Sequence, residues 1–291
     1  MICFHHNDLD GRCSAAIVKT AYPAININFI EVDYSSKIPF DLISKDESVI
    51  IVDFSFGPEG FEKLKTITED IVWIDHHTTA IDSNPEMTTA KGVRGRGKPS
   101  ACYLTWCYYF NDIPPRAVQL VSDYDTWQFR LGEDTLHFFL GIQTEDDGPT
   151  SEIWKGLLDL RTDNICTLES IRRGKIIEKY QDNRYKRLIS DLSYEVMFED
   201  HLWIVCNSPI TGRRLFNSID VSNYYGMIIT SYNGKNWIVS LRSDTDKDVS
   251  KIAVKYGGGG HKNAAGFICD ALPFSKKTNL ILGGSIFHTK Q

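Results

Sequence analysis

No CxxC pair occurs among the seven cysteines, Cys3, Cys13, Cys102, Cys107, Cys166, Cys206 and Cys269, which are odd in number and scattered. That excludes a zinc ribbon and a disulfide framework, and it suits reduced, part-buried thiols. No apolar stretch reaches transmembrane length, and the first residues lack the basic segment, apolar run and cleavage site of a secretory signal. A cytoplasmic protein without membrane attachment is expected. Basic excess is missing too: 32 Lys and Arg stand against 38 Asp and Glu, a net charge of −6. This argues against a salt-driven grip on long duplex nucleic acid, which favours strongly basic faces. It leaves room for a local basic pocket that takes a small anion. There is no low-complexity tract and no internal repeat. With 42% hydrophobic and 24% charged residues over 291 positions, the chain is globular and long enough for one large or two ordinary domains.

What is present is a concentration of acid and imidazole. "FHHNDLDG", residues 4–11, puts two histidines and two aspartates where an apolar run ends. Close carboxylates repel and resist ionising together, so a positive charge belongs among them. Four short apolar runs, Ile2–His5, Ile27–Val32, Val49–Asp53 and Ile71–Asp75, end in polar or acidic residues. "SVIIVD" and "DIVWID" are continuous rather than alternating, as in parallel strands covered on both faces. Helical patterns, "GRCSAAIVKTAY" and "GPEGFEKLKTI", lie between the strands. This rhythm predicts an α/β unit with a parallel sheet and a ligand site outside the strands' C-terminal ends.

Further on, a basic loop "KGVRGRGKPS" precedes an aromatic-rich helix "ACYLTWCYYF". Another helix runs from Pro114-Pro115 to about Val121, followed by "SDYDTW". A long charged helix from about Cys166 to Ser193 reads as a connector. "LWIVC", "YGMIITSY" and "NWIVSLRS" read as strands, the last two flanking an Asn233-Gly234 hairpin turn. A short helix, "VSKIAVKYG", leads into "GGGGHKNAAGF".

The strand ends collect His5, His6, Asp8 and Asp10, then Asp53, then Asp75, His76 and His77, with Asp123 and Asp125 returning after a helix. Taken singly, an acid such as Asp53 reads as a cap or turn residue. Acid or imidazole at three of four strand ends points instead to metal. Carboxylate and imidazole without thiolate suit manganese, with magnesium, cobalt or iron as alternatives. The number of groups suits two ions, the usual apparatus for hydrolysing a phosphate ester. The glycine run brings backbone N–H groups within reach of a phosphate. Arg242 can grip one in bidentate fashion, and His261 and Asn263 can donate to phosphate, sugar or base. Arg94, Arg96 and Lys98 read equally as a phosphate contact before a Ser100-capped helix or as an exposed loop. Trp106 and its aromatic neighbours read as core. Trp127 is the better stacking candidate, although a core position is expected for it as well.

"HNDLDG", "IVDFSF", "IDHH" and "SDYD" follow the order and rough spacing of the four motifs of DHH-family phosphoesterases. "VSLRS" followed by "GGGGHKNAAGF" resembles the C-terminal substrate-binding domain, DHHA1, that accompanies them. The resemblance spans about residues 1 to 270 and is nearest to the nano-RNase, short-oligonucleotide exonuclease branch. It implies His6 and Asp8 on one metal, Asp10, His76 and Asp123 on the other, and Asp53 bridging. Asp75 would orient His76, and His77 would face the phosphate. Gly258, Gly259, Gly260, His261, Asn263 and Arg242 would bind substrate. Many relatives have a histidine where this chain has Phe4. His6 matches the variant spacing, and His5 should point to the opposite face of its strand.

The expected organisation is a catalytic metal-binding domain over residues 1–165, a helical connector over 166–195 and a smaller mixed α/β domain over 196–291, with the active site in the cleft between the domains. The expected activity is stepwise hydrolysis of short single-stranded oligonucleotides to mononucleotides by a metal-activated water. Rival readings are a phosphatase for 3′-phosphoadenosine 5′-phosphate, a cyclic or linear dinucleotide phosphodiesterase, and an inactive nucleotide sensor. Relatives of this kind are often dimers, so a homodimer is compatible with the resemblance.

Overall fold

Four parallel strands form the first sheet of the computed structural model, which describes residues 1–35, 37–160 and 163–275. They are β1 (Ile2–His6), β2 (Asn28–Val32), β3 (Val49–Val52) and β4 (Ile71–Ile74), in the order β2-β1-β3-β4. The four apolar runs of the sequence are these strands. The lack of alternation in β1, β3 and β4 has a direct cause, since both faces are covered, whereas the edge strand β2 is only partly covered. Ile2, Phe4, Val49, Ile51, Ile71 and Trp73 enter one core with Phe56, Phe61 and Leu64. Cys3, Ile50, Val52, Val72 and Ile74 enter the other.

Helix α1 (Leu9–Ala21) follows β1, and α2 (Gly57–Lys65) follows β3. Ala15 and Val18 of α1 meet the sheet, whereas Cys13, Ala16 and Ile17 face a helical layer. That layer comprises α4 (Ala101–Phe110), α5 (Arg116–Asp125), α6 (Glu133–Ile142) and α7 (Ile153–Leu157), while α3 (Thr78–Ser83) follows β4 directly. Trp106 belongs to the helical core, as expected. Strand order reverses between β1 and β3, and such a switch point opens a crevice at the strands' C-terminal ends.

The long helix α8 (Asp163–Leu192) leads to a mixed sheet. Its strands are β5 (Ser193–Phe198), β6 (His201–Asn207), β7 (Gly226–Tyr232), β8 (Trp237–Arg242), β9 (Gly259–His261) and β10 (Ala264–Cys269), with α9 (Val249–Lys255) between β8 and β9. The order is β5-β6-β7-β8-β10-β9, and only β6–β7 is parallel. The fold class is therefore α/β with a parallel first sheet and a smaller mixed second one, as expected. The chain divides into two compact units within α8, between Glu178 and Lys179. Among the described residues no helix is long and apolar enough to cross a membrane.

Two local differences from the sequence reading affect the site. Helix α5 does not stop near Val121 but runs through "SDYD" to Asp125. The glycine run is not a free loop, because its second half forms β9 and pairs with β10.

Candidate metal centre

The turn from β1 into α1 places the first acids. Asp8 caps α1, accepting from Gly11 N at 2.9 Å. Gly11 is required here, because a Cβ would lie 2.4 Å from His6 O. Asp8 also meets His6 Nδ1 at 2.7 Å. Burial pushes the Asp8 carboxyl up, but the hydrogen bonds from His6 and Gly11 prevail and hold it down at about 2. The same bond to Asp8 raises His6 against its desolvation. His5 is buried on the other face, with Nδ1 on His6 O, and stays out of the cluster.

Asp10 is held by the start of α4. Its two oxygens accept from Ser100 Oγ (2.7 Å), Ala101 N (2.8 Å) and Cys102 N (2.9 Å). A helix N-terminus favours an anion, and here the anion is a carboxylate of the chain itself rather than a phosphate. Nor do the nearby arginines stand free. Arg94 lies over the Trp73 ring at 5.9 Å and donates to Trp73 O, and Arg96 pairs with Asp82.

Asp53 follows β3 in a left-handed backbone conformation, φ +56°, which a non-glycine residue adopts only where its surroundings hold it. It is 1% exposed, and neither carboxylate oxygen has a hydrogen-bond partner among the described residues. His6 Nδ1 lies 3.7 Å away, His76 Nε2 3.4 Å and His77 Nδ1 3.8 Å. Burial, then repulsion from Asp10, Asp8, Asp125 and Asp75, pushes its carboxyl well above the ordinary range.

The expected orientation of His76 by Asp75 is corrected by the geometry. Asp75 Oδ1 accepts from the His77 ring at 2.8 Å and from the backbone N–H of His76 and of His77. The bond to Asp75 raises His77. His76 instead sets Nδ1 3.3 Å from Gly97 O, leaving a buried, unpartnered Nε2 beside Asp53, Asp10 (3.8 Å) and Asp125 (3.3 Å).

Asp123 is likewise corrected. Residues two apart on a helix point in nearly opposite directions, about 200° around the axis. Once "SDYD" is helical, Asp123 and Asp125 cannot share a neighbourhood. Asp123 turns to the following loop and accepts from Arg130 N, Leu131 N and Thr135 Oγ1. Asp125 turns to the cluster, where burial and then Asp10 and Asp8 push its carboxyl up to about 8. The helical spacing of "RAVQLVSDYD" is the signal that separates the two acids. Trp127 differs from its expected core position as well. It is 70% exposed, edge-on to Tyr124 and Phe129.

Three overlapping groups result: His6, Asp8 and Asp53; Asp53, His76 and His77; Asp10, His76 and Asp125. Asp53 belongs to two of them, and so does His76. A buried carboxylate and imidazole without partners, among acids that cannot all ionise together, fit divalent cations with oxygen and nitrogen ligands.

In the second unit, register sets Arg242 of β8 opposite Ala264 of β10, and Ala264 opposite His261 of β9. Arg242 is half-buried, which lowers its pKa, while His261 and Asn263 are exposed. Gly258 N donates to Ala253 O at 2.9 Å, closing α9, so this N–H is not open to a phosphate.

Residues 1–117 match the N-terminal domain of the DHH family, and residues 211–278 match the DHHA1 domain. The chain thus carries a DHH-family N-terminal domain and a DHHA1 domain. It resembles the oligoribonuclease NrnB of Bacillus subtilis at 25% identity over 301 residues, covering 90% of this chain and 71% of NrnB. An uncharacterised protein of Acanthamoeba polyphaga mimivirus is 28% identical over 245 residues, 80% of this chain; the chain spans 56% of that relative's length. Among solved structures, the pGpG-specific phosphodiesterase PggH of Vibrio cholerae superimposes with a TM-score of 0.57 at 14% identity, covering 92% of this chain and 93% of PggH. The DHH domain of a member of the s1p family of ribosomal proteins gives 0.55 at 16%, covering 92% and 82%. These superpositions establish the fold.

Proposed function

We propose that this DHH protein is a metal-dependent phosphodiesterase that hydrolyses short single-stranded oligonucleotides to mononucleotides. The observation that carries the reading is Asp53, a fully buried carboxylate with both oxygens unpartnered, set among three other aspartates and three imidazoles at the switch point of a parallel sheet. His6, Asp8 and Asp53 form one ligand set. Asp10, His76 and Asp125 form the second, again with Asp53. Divalent cations held there, manganese by preference, would lower the pKa of a bound water and neutralise the phosphoryl oxygens.

The protein's own groups do the rest. Asp75 fixes the His77 ring through Nδ1, so Nε2 points away from the carboxylate, and the raised pKa keeps a proton available. His77 donates that proton, or a hydrogen bond, to a phosphoryl or leaving oxygen. Asp10 is anchored by the α4 N-terminus, which fixes the position of its ligand set. Arg242, His261 and Asn263 would bind a phosphate or base of the substrate. The similarity to an oligoribonuclease supports the substrate class, and the net charge of −6 suits a short strand over a long one.

The test is manganese-dependent turnover of a labelled panel: a linear dinucleotide, short RNA and DNA oligomers, a cyclic dinucleotide and 3′-phosphoadenosine 5′-phosphate. Stepwise release of mononucleotides from the oligomers is expected. Turnover of the cyclic compound or the bisphosphate alone would replace this reading, and tight nucleotide binding with no turnover would make the protein a sensor.

A further inference from the structure

Beside the metal cluster, on the side of His77, lies a cavity of about 570 Å³ inside the first unit. That volume is within the ordinary range for small-molecule sites. Tyr34, Phe54, Phe56 and Pro58 make one wall, and His77 and Ser83 line it as well. Tyr34 leaves β2's end and packs its ring on Phe54, centroids 4.6 Å apart, 5.5 Å from the His6 ring and 6.3 Å from that of His77. Yet Tyr34 is 56% exposed. An aromatic ring backed by a second ring and open on its other side is a stacking platform. The floor is polar. Ser55 Oγ accepts from Gly57 N and Asn84 Nδ2, and Asn84 Oδ1 is buried without a partner among the described residues.

We infer that this cavity receives an unpaired nucleobase, that of the nucleotide on the His77 side of the scissile phosphate, stacked on Tyr34. The placement follows from His77, which touches both regions: its Nδ1 lies 3.8 Å from Asp53, and its ring lines the cavity. A phosphate at Asp53 therefore has its ester oxygen next to the cavity mouth. An aromatic platform accepts any base, because every base has a π face, and it excludes a base already stacked in a duplex. The site thus selects single strands without reading sequence. Since it rests on the oligonucleotide reading above, its test must separate the two.

Tyr34→Leu removes the platform, and Ser83→Trp fills the cavity from its exposed rim. Two measurements are made on the full chain: binding of adenosine 5′-monophosphate against ribose 5-phosphate, and manganese-dependent kinetics on a dinucleotide against the analogue lacking the base next to the scissile bond. Each variant is expected to weaken the base-bearing ligand about tenfold, equivalent to about 1.4 kcal/mol, through KM rather than kcat. The base-less partners should be unchanged. Equal losses on both ligands would show that Tyr34 merely supports the metal centre, and no loss on either would show an idle cavity. Both results overturn the inference even if oligonucleotides are hydrolysed. Base-dependent binding lost in both variants, with no oligonucleotide turned over by the native chain, would instead sink the proposed activity and leave the cavity assignment standing.

Discussion

The C-terminal edge of the first sheet and the Arg242–His261 row of the second both display polar side chains at strand ends, but they are satisfied in opposite ways. At the first, Asp53 and His76 are buried with unpartnered atoms, and two carboxyls are pushed above their ordinary range. At the second, His261, Lys262 and Asn263 are exposed, and the adjoining glycine N–H closes a helix. The first is an arrangement the protein alone cannot satisfy, so under the proposed function the stability lost would be recovered on cation binding. The second, the proposed substrate-binding row, carries no such strain.

The sharpest way to break this contrast is Asp53→Asn. Asparagine tolerates the left-handed backbone and keeps the shape while removing the charge. Turnover should fall by at least about 1,000-fold. In chelator, however, the variant should melt higher than the native protein, because an ionisable group that is buried and unpartnered disappears at a gain of about 1–3 kcal/mol. Near-native turnover would refute the shared-ligand role, and a lower melting temperature in chelator would refute the frustration.

Next in size is the pair Asp125→Asn and Asp123→Asn, whose effects should cross. Asp125 faces the cluster, so its variant should lose about 100-fold or more in turnover with no fall in chelated stability. Asp123 holds Arg130 N, Leu131 N and Thr135 Oγ1. Its variant should lose about 1–3 kcal/mol of stability and retain more of the turnover. Measured melting curves and kinetics in the reverse order would return Asp123 to the metal.

Stability against pH probes the same edge without mutation. The raised carboxyls of Asp53 and Asp125 contribute stability below the ordinary carboxylate range and lose it as pH rises, for Asp125 through about 8. His6 and His77 are raised, so their contribution also falls with rising pH. Asp8 and Asp123 are lowered, and both are ionised throughout from pH 5 to 8. His5, lowered by burial, works in the opposite direction, but the two carboxyls and two raised imidazoles outnumber it, so the chelated protein should have a melting temperature that declines from pH 5 to 8. Added manganese should raise it, and by more at higher pH, since ligands bind deprotonated. A flat chelated profile would mean the acids are not frustrated.

How far the site could be read in advance follows the same physics. Strand positions and both-face burial were legible because "VIIV" and "IVWI" leave no polar face. The acids at strand ends were legible because topology alone brings them to one edge. The choice between Asp123 and Asp125 was not, since it turns on one extra helical turn, and helix ends are poorly marked in "SDYDTW". The partner of Asp75 was hidden for a similar reason: adjacent His76 and His77 differ only in the direction of their rings. Tyr34 left no signal, because its value lies in stacking on Phe54, twenty positions away. The run of glycines pointed to phosphate, but part of its cause is internal. A Cβ on Gly258 would meet Gly266 O at 2.1 Å.

The second sheet should respond most mildly. His261→Ala removes an exposed side chain at the end of β9, so melting temperature should stay within experimental error, as surface substitutions usually do. If His261 and Arg242 grip the substrate, KM for a trinucleotide should rise about tenfold, about 1.4 kcal/mol, with kcat little changed, the pattern of lost uniform binding. A fall in kcat with KM constant would place His261 among the reacting groups, and the contrast between a strained chemical edge and a relaxed binding edge would not hold.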